Sequence, residues 1–192
     1  MNRIEEAIHY ATDAHAGVNR DSTRIPYILH PLEAAAIASG LTDDPDVIAA
    51  AVLHDVVEDT PRSAAEIAAR FGENVARLVG SDTENKRREL PSEATWKLRK
   101  QETIDAVPHL ADDELIVVFS DKLANLRAIW NDYQRCGEKL WERFSQPDPR
   151  EQLWYYRGVF EGFGRLAHTP LYREYAWRLD ELAARIASRA GA

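Results

Sequence analysis

The chain has 192 residues, enough for one medium-sized domain with a proper core. Hydrophobic residues make up 45% and charged residues 29%, which excludes a disordered chain, a collagen-like repeat and a disulfide scaffold. The formal charge of −8 argues against a protein that coats nucleic acid, and the single cysteine, Cys136, has no intrachain partner, which fits a reducing cytoplasm.

The N-terminus lacks the apolar core of a signal peptide, and no window approaches a membrane span, so a cytoplasmic protein without a membrane is expected. The charge is uneven. Residues 86–100 hold six basic and two acidic side chains, a local +4, so the remainder carries −12. That segment suits either a small polyanionic ligand or a solvated charged face.

Arg3 to Ala16 predicts a helix with Ile4, Ala7, Ile8 and Ala11 on one stripe. Residues 17–29 form an irregular loop broken by Gly17 and Pro26, and a short alanine-rich helix covers about 31–39. Asp44 is an N-cap before the first-turn Pro45, starting a helix expected to run to about Asp55. Ser63 with Glu66 makes a capping box for the next helix, which Gly72 interrupts. The helix over about 73–80 turns Val75, Leu78 and Val79 inward, and another covers 92–107, stopping near Pro108. Leu115–Phe119 is apolar enough for a buried strand. The apolar pattern continues through Leu123, Leu126 and Ile129 at helical spacing, so helix is predicted. Two further helices, about 149–166 and 170–189, are separated by His168, Thr169 and Pro170. No repeat and no alternating strand pattern appears, so the expected class is all-α.

Three places carry chemistry: Tyr27 to Pro31, Leu53 to Thr60, and Ser120-Asp121-Lys122. His54 and Asp55 are adjacent, and adjacent helical positions diverge by about 100°. Both reach one ion only from inside a bundle, with His30 approaching from the preceding loop and Asp121 from a buried helix. Two imidazoles and two carboxylates suit Mn²⁺, Fe²⁺ or Zn²⁺ better than Mg²⁺ or Ca²⁺. A structural alternative for Asp121 is an ion pair with Lys122 or Arg127. Glu58 and Asp59, one turn past His54 and Asp55, are placed either to orient a bound water or simply to end a helix before Pro61.

The strings IPYILHP, AAAVLHDVVEDT, EIAARFGENVARLV and FSDKLANLRAI, in this order, resemble the hydrolase domain of the RelA/SpoT homologues. Lacking a synthetase domain, the chain is similar to the stand-alone small alarmone hydrolases, with the resemblance strongest over residues 3–165. The resemblance implies an HD-superfamily bundle of about eight to ten helices, one domain over 1–192 with a C-terminal helix at 170–189. It implies one Mn²⁺ per chain on His30, His54, Asp55 and Asp121, and a catalytic acidic pair, Glu58 and Asp59. The implied reaction removes the 3′-pyrophosphate from guanosine tetra- or pentaphosphate. The implied substrate contacts are Arg20, Lys97, Arg99, Lys100, Lys122 and Asn125.

One departure concerns the loop before PYxxHP. Relatives carry an Arg-Lys pair there, whereas this chain reads Val18-Asn19-Arg20-Asp21. Adenosine alarmones, NADPH and a non-catalytic binding module therefore stay open beside the guanosine substrate, and so does monomer against homodimer. The expected partner is a small nucleotide, with no nucleic acid. His9, His15, His109 and His168 are expected at the surface or at helix ends. Trp96, Trp130, Trp154, Tyr155 and Tyr156 are expected in the core or an interface, and Cys136 is expected to be inert.

Overall fold

The structure is a computed structural model that describes residues 2–20, 23–87 and 89–190. Asp21 and Arg88 lie outside the described residues. Among the described residues there is no strand; one isolated bridge pairs Asn19 with Pro26. The helical elements are α1 (Arg3–Ala14), α2 (Leu29–Ala38), α3 (Pro45–Leu53), the single turn α4 (Val56–Asp59), α5 (Ala64–Phe71), α6 (Glu73–Asp82), α7 (Ser92–Ala106), α8 (Asp112–Cys136), α9 (Pro149–Gly162) and α10 (Pro170–Ala190). Short 3₁₀ turns cover Val107–His109, Gly137–Arg143 and Gly164–Leu166. No helix among the described residues is long and apolar enough to cross a membrane.

The helix starts follow local chemistry. Asn2 and Glu5 close a capping box on α1, and Ser63 and Glu66 close one on α5. Asp44 and Asp148 each cap a helix whose first residue is proline. One boundary differs from the sequence expectation. The helix starting at Pro45 ends at Leu53, close to the expected Asp55, and α4 restarts after Asp55, whose φ of −89° and ψ of −6° lie at the edge of the helical region. The stretch Leu115–Phe119 is helical. Leu115, Val117, Val118 and Phe119 are all buried, as in a helix enclosed on every side.

The chain divides into two compact units, residues 1–84 with 110–124, and residues 85–109 with 125–192. In the first, Ala7, Tyr10 and Ala11 of α1 pack with Val47 to Leu53 of α3, Ile67 and Phe71 of α5, and Val75, Leu78 and Val79 of α6. Alanines at 49, 50 and 51 keep α3 slim and fully enclosed. Burying a leucine such as Leu53 or Leu78 contributes about 1.5–3 kcal/mol. The second unit is built on aromatic rings. Trp96, Trp141, Tyr155, Tyr156, Phe163 and Tyr175 are buried, and Phe160 stacks on Tyr172 and Tyr175 at 4.5 and 5.1 Å. There α9 approaches the end of α7 so closely that a Cβ on Gly158 would fall 2.5 Å from Ile104, and one on Gly162 would fall 2.5 Å from Val107.

Candidate metal centre

The break between α3 and α4 sets the first two donors. His54 and Asp55 sit at the turn between α3 and α4, where His54 Nε2 lies 3.0 Å from Asp55 Oδ2. His54 Nδ1 donates to the Ala51 carbonyl at 2.8 Å, which fixes the ring and aims Nε2 inward. His30, in the first turn of α2, places its Nε2 3.3 Å from His54 Nε2, with the two rings at 77°. Asp121 enters from α8. Its Oδ1 is 2.9 Å from His30 Nε2 and 3.3 Å from His54 Nε2, while Asp55 Oδ2 is 3.5 Å from His30 Nε2.

His30, His54 and Asp121 are buried, and the Asp55 side chain keeps 15% exposure. Burial opposes charge on His54, but the carboxylates of Asp55 and Asp121 outweigh it and hold the imidazole well above its ordinary value. Burial likewise pushes both carboxyls up. For Asp55 the His54 and His30 rings override it; for Asp121 the Lys122 ammonium does so, followed by the two rings. Both acids are held below the usual range. Imidazoles, carboxylates and the Lys122 ammonium thus pair with one another in this pocket.

His30, His54 and Asp121 fit a divalent metal. Donors about 2.1 Å from one centre lie roughly 3.0–3.4 Å apart around an octahedron or tetrahedron, and the His–His and His–Asp pairs here are spaced at 2.9–3.5 Å. His30 Nδ1 is buried without a hydrogen-bond partner, so Nε2 is the nitrogen that ring offers to the cluster. Any proton on an Nε2 competes with a cation for the same lone pair.

The remaining candidates are placed as follows. Glu58 Oε2 accepts the backbone N–H of Glu84 at 2.7 Å, which anchors it beside the end of α6. Asp59 Oδ2 lies 3.4 Å from the Tyr27 hydroxyl, which donates to Asp55 Oδ2 at 2.6 Å. Lys122 pairs with Asp121, the alternative weighed from the sequence, through Oδ2 and not through the oxygen that faces the imidazoles. Arg127 instead pairs with Glu174. Arg20 sits in the loop before α2, its backbone N–H bonded to the Ile25 carbonyl. Asn125 follows Asp121 by one turn of α8 and begins the second unit.

Lys97, Arg99 and Lys100 belong to the second unit and are engaged there. Lys97 pairs with Glu151 and lies 3.4 Å over Trp154. The Arg99 guanidinium is buried against Thr95 and Ser92, and Lys100 lies 4.7 Å over Tyr155.

Two contributors carried no separable signal in the sequence. Tyr27 was visible only as part of a motif string, and its bridge from Asp55 to Asp59 depends on partners 28 and 32 residues away. His15 is at a helix end as expected but is not at the surface. It is 4% exposed and packs on Tyr27 with ring centroids 4.9 Å apart.

An all-helical unit that gathers His30, His54 and Asp121 around one point, with Asp55 beside His54, has the arrangement of an HD-type domain. This chain belongs to that family: the family model described as HD domain matches residues 7–146. It is 36% identical over 139 residues, 71% of its own length and 72% of the other, to the zebrafish guanosine-3′,5′-bis(diphosphate) 3′-pyrophosphohydrolase MESH1 (Danio rerio). It is also 36% identical over 129 residues to the guanosine-3′,5′-bis(diphosphate) 3′-pyrophosphohydrolase of Aquifex aeolicus, 66% of this chain but 18% of that longer protein. A solved structure of a metazoan orthologue of SpoT that hydrolyses ppGpp superposes with a TM-score of 0.73 at 26% identity, over 95% of this chain and 94% of that one.

Proposed function

We propose that this protein is a metal-dependent pyrophosphohydrolase that removes the 3′-pyrophosphate from a guanosine 3′,5′-bis(diphosphate)-type nucleotide, acting as one domain over residues 1–192. The observation that carries the reading is the gathering of His30, His54 and Asp121, with Asp55 Oδ2 3.0 Å from His54 Nε2 and 3.5 Å from His30 Nε2, and with Glu58 and Asp59 on the next turn. It supports one ion per chain, and the mixed imidazole–carboxylate set favours Mn²⁺ over the all-oxygen cations. When bound, such an ion lowers the pKa of a coordinated water and offsets charge on the attacked phosphorus.

The chain's own residues supply the rest. His30, His54, Asp55 and Asp121 hold the centre. Glu58, anchored at Oε2 by the Glu84 N–H, accepts a proton from the attacking water. Water adds to the phosphorus that bears the 3′-oxygen, and the P–O3′ bond breaks. The 3′-oxygen leaves as a hydroxyl after taking the proton that Glu58 accepted, passed on through Asp59 or solvent, and pyrophosphate is released. Tyr27 holds Asp55 and Asp59 in register. Arg20, Lys122 and Asn125, with Lys97, Arg99 and Lys100, are the proposed substrate contacts. The working compartment of this reading is the cytoplasm.

The test is a panel of ppGpp, ppApp and NADPH, each with Mn²⁺ and with a chelator. Release of pyrophosphate and GDP from ppGpp, abolished by the chelator, is the expected result. Full turnover after exhaustive chelation would overturn it. Asn19 favours a second reading in which base selectivity is loose. Its side chain is exposed and its backbone pairs with Pro26, so it offers no guanidinium to stack on a purine. Adenine and guanine substrates should then differ by less than about a hundredfold in kcat/KM.

A further inference from the structure

Behind the four donors lies a second buried ionic group that they do not account for. Asp82, the last residue of α6, has a side chain only 3% exposed. The Lys122 Nζ sits 2.8 Å from Asp82 Oδ1 and 2.6 Å from Asp121 Oδ2, so one ammonium joins carboxylates from two helices. An unpaired carboxylate at that depth is strongly disfavoured, which ties Asp82 to Lys122.

The consequence falls on Asp121, whose two oxygens are divided between different tasks. Oδ1 faces His30 and His54, while Oδ2 is capped by Lys122. A free carboxylate can offer a cation one oxygen or two; with one oxygen capped by an ammonium, it offers one. Lysine alone is a poor clamp, because its ammonium rides on a flexible four-carbon stem. Asp82 supplies the second anchor that holds the ammonium in place.

We propose that Asp82 is a positioning residue for the metal centre: acting through Lys122, it keeps Asp121 turned toward His30 and His54 as a single-oxygen donor. The proposal rests on the reading of those residues as metal ligands, and not on the identity of the nucleotide.

The experiment is a Mn²⁺ titration of chelator-stripped protein at pH 8, followed by the electron paramagnetic resonance signal of free Mn²⁺, on wild type, Asp82→Asn, Lys122→Met and the double variant. Orienting partners of metal ligands typically change affinity 10–100-fold, and Asp82→Asn should weaken Mn²⁺ binding by that much. At saturating Mn²⁺ its kcat should recover to within threefold of wild type. The double variant should bind Mn²⁺ within threefold of Lys122→Met, because Asp82 acts only through the ammonium. Unchanged Mn²⁺ affinity in Asp82→Asn would overturn the proposal, as would additive losses in the double variant. Wild type that binds no Mn²⁺ would instead overturn the metal-centre reading itself. Should Asp82→Asn fail to fold, Asp82→Ser takes its place; if neither folds, Asp82 is a folding residue and the proposal fails.

Discussion

In the first unit the interior near α2, α3 and α8 contains two imidazoles, the carboxylates of Asp82 and Asp121 and the ammonium of Lys122, with Asp55 at the edge. The interior of the second unit is filled by tryptophan, tyrosine and phenylalanine rings. The chain is the same and the helices alike, yet the two interiors follow opposite rules. Aromatic packing stabilises by area and contact. Buried charge is costly unless paired, and replacing such groups by apolar ones is often stabilising. Charge so concentrated in one unit therefore marks the place where chemistry, rather than stability, chose the residues.

The largest effect should come from removing a donor. Asp121→Ala or His54→Ala should abolish tight Mn²⁺ binding and lower activity by at least about 10³-fold, a magnitude set by loss of the ion's contribution. Elemental analysis beside a hydrolysis assay reads both. Stripping the ion should also lower the melting temperature of wild type, since an ion at a hundredfold excess over its Kd contributes about 2.7 kcal/mol. The same chelation should leave Asp121→Ala unmoved. If wild type and variant respond alike, the two interiors are not distinguished by a metal.

Next comes Glu58→Gln, which preserves shape but not proton acceptance. We expect kcat to drop about 10²–10⁴-fold with metal content unchanged. Loss of Mn²⁺ from this variant would move Glu58 among the ligands.

His30, His54, Asp55 and Asp121 were legible as candidate ligands because they fall in motif strings that need no knowledge of contacts. Helix starts were legible for the same local reason, as at Asp44, Ser63 and Asp148. What stayed hidden depends on distance along the chain. Asp82 meets Lys122 across 40 residues, and Tyr27 meets Asp55 across 28. The helix end near Asp55 was legible, but the restart of a single turn at Val56 was not.

The second unit is probed by overfilling it. Gly158→Ala would drive a methyl group to within 2.5 Å of Ile104, and overpacking of this kind costs about 1–3 kcal/mol. A thermal melt should show the loss while Mn²⁺ stoichiometry stays at wild type. A shift in metal content would mean that the two interiors are energetically joined.

The smallest effect is a pH-dependent one. Arg127 and Arg178 hydrogen-bond Glu174, and against some burial they hold its carboxyl below the usual value. A lowered folded-state pKa contributes stability above the ordinary glutamate value of about 4.3, and that contribution is lost as pH falls through the folded value. For a partly exposed cluster the magnitude is about 0.5–1 kcal/mol. Glu174→Gln should therefore melt lower than wild type at pH 7 and match it near pH 2–3. Equal melting temperatures at pH 7 would remove the cluster from the stability of the second unit.

The interruption at Asp55 also bears on how such a protein can change over generations. The donors at His54 and Asp55 and the acids at Glu58 and Asp59 ride on separate helical pieces joined at one residue. One codon gained or lost between Asp55 and Glu58 would swing the acids by about 100° while the donors stayed in place. Val56 and Val57 lie in that same interval, the first fully buried in the core and the second packed against it, so such a change would disturb packing as well. The spacing between proposed donors and acids is thus guarded by the fold itself.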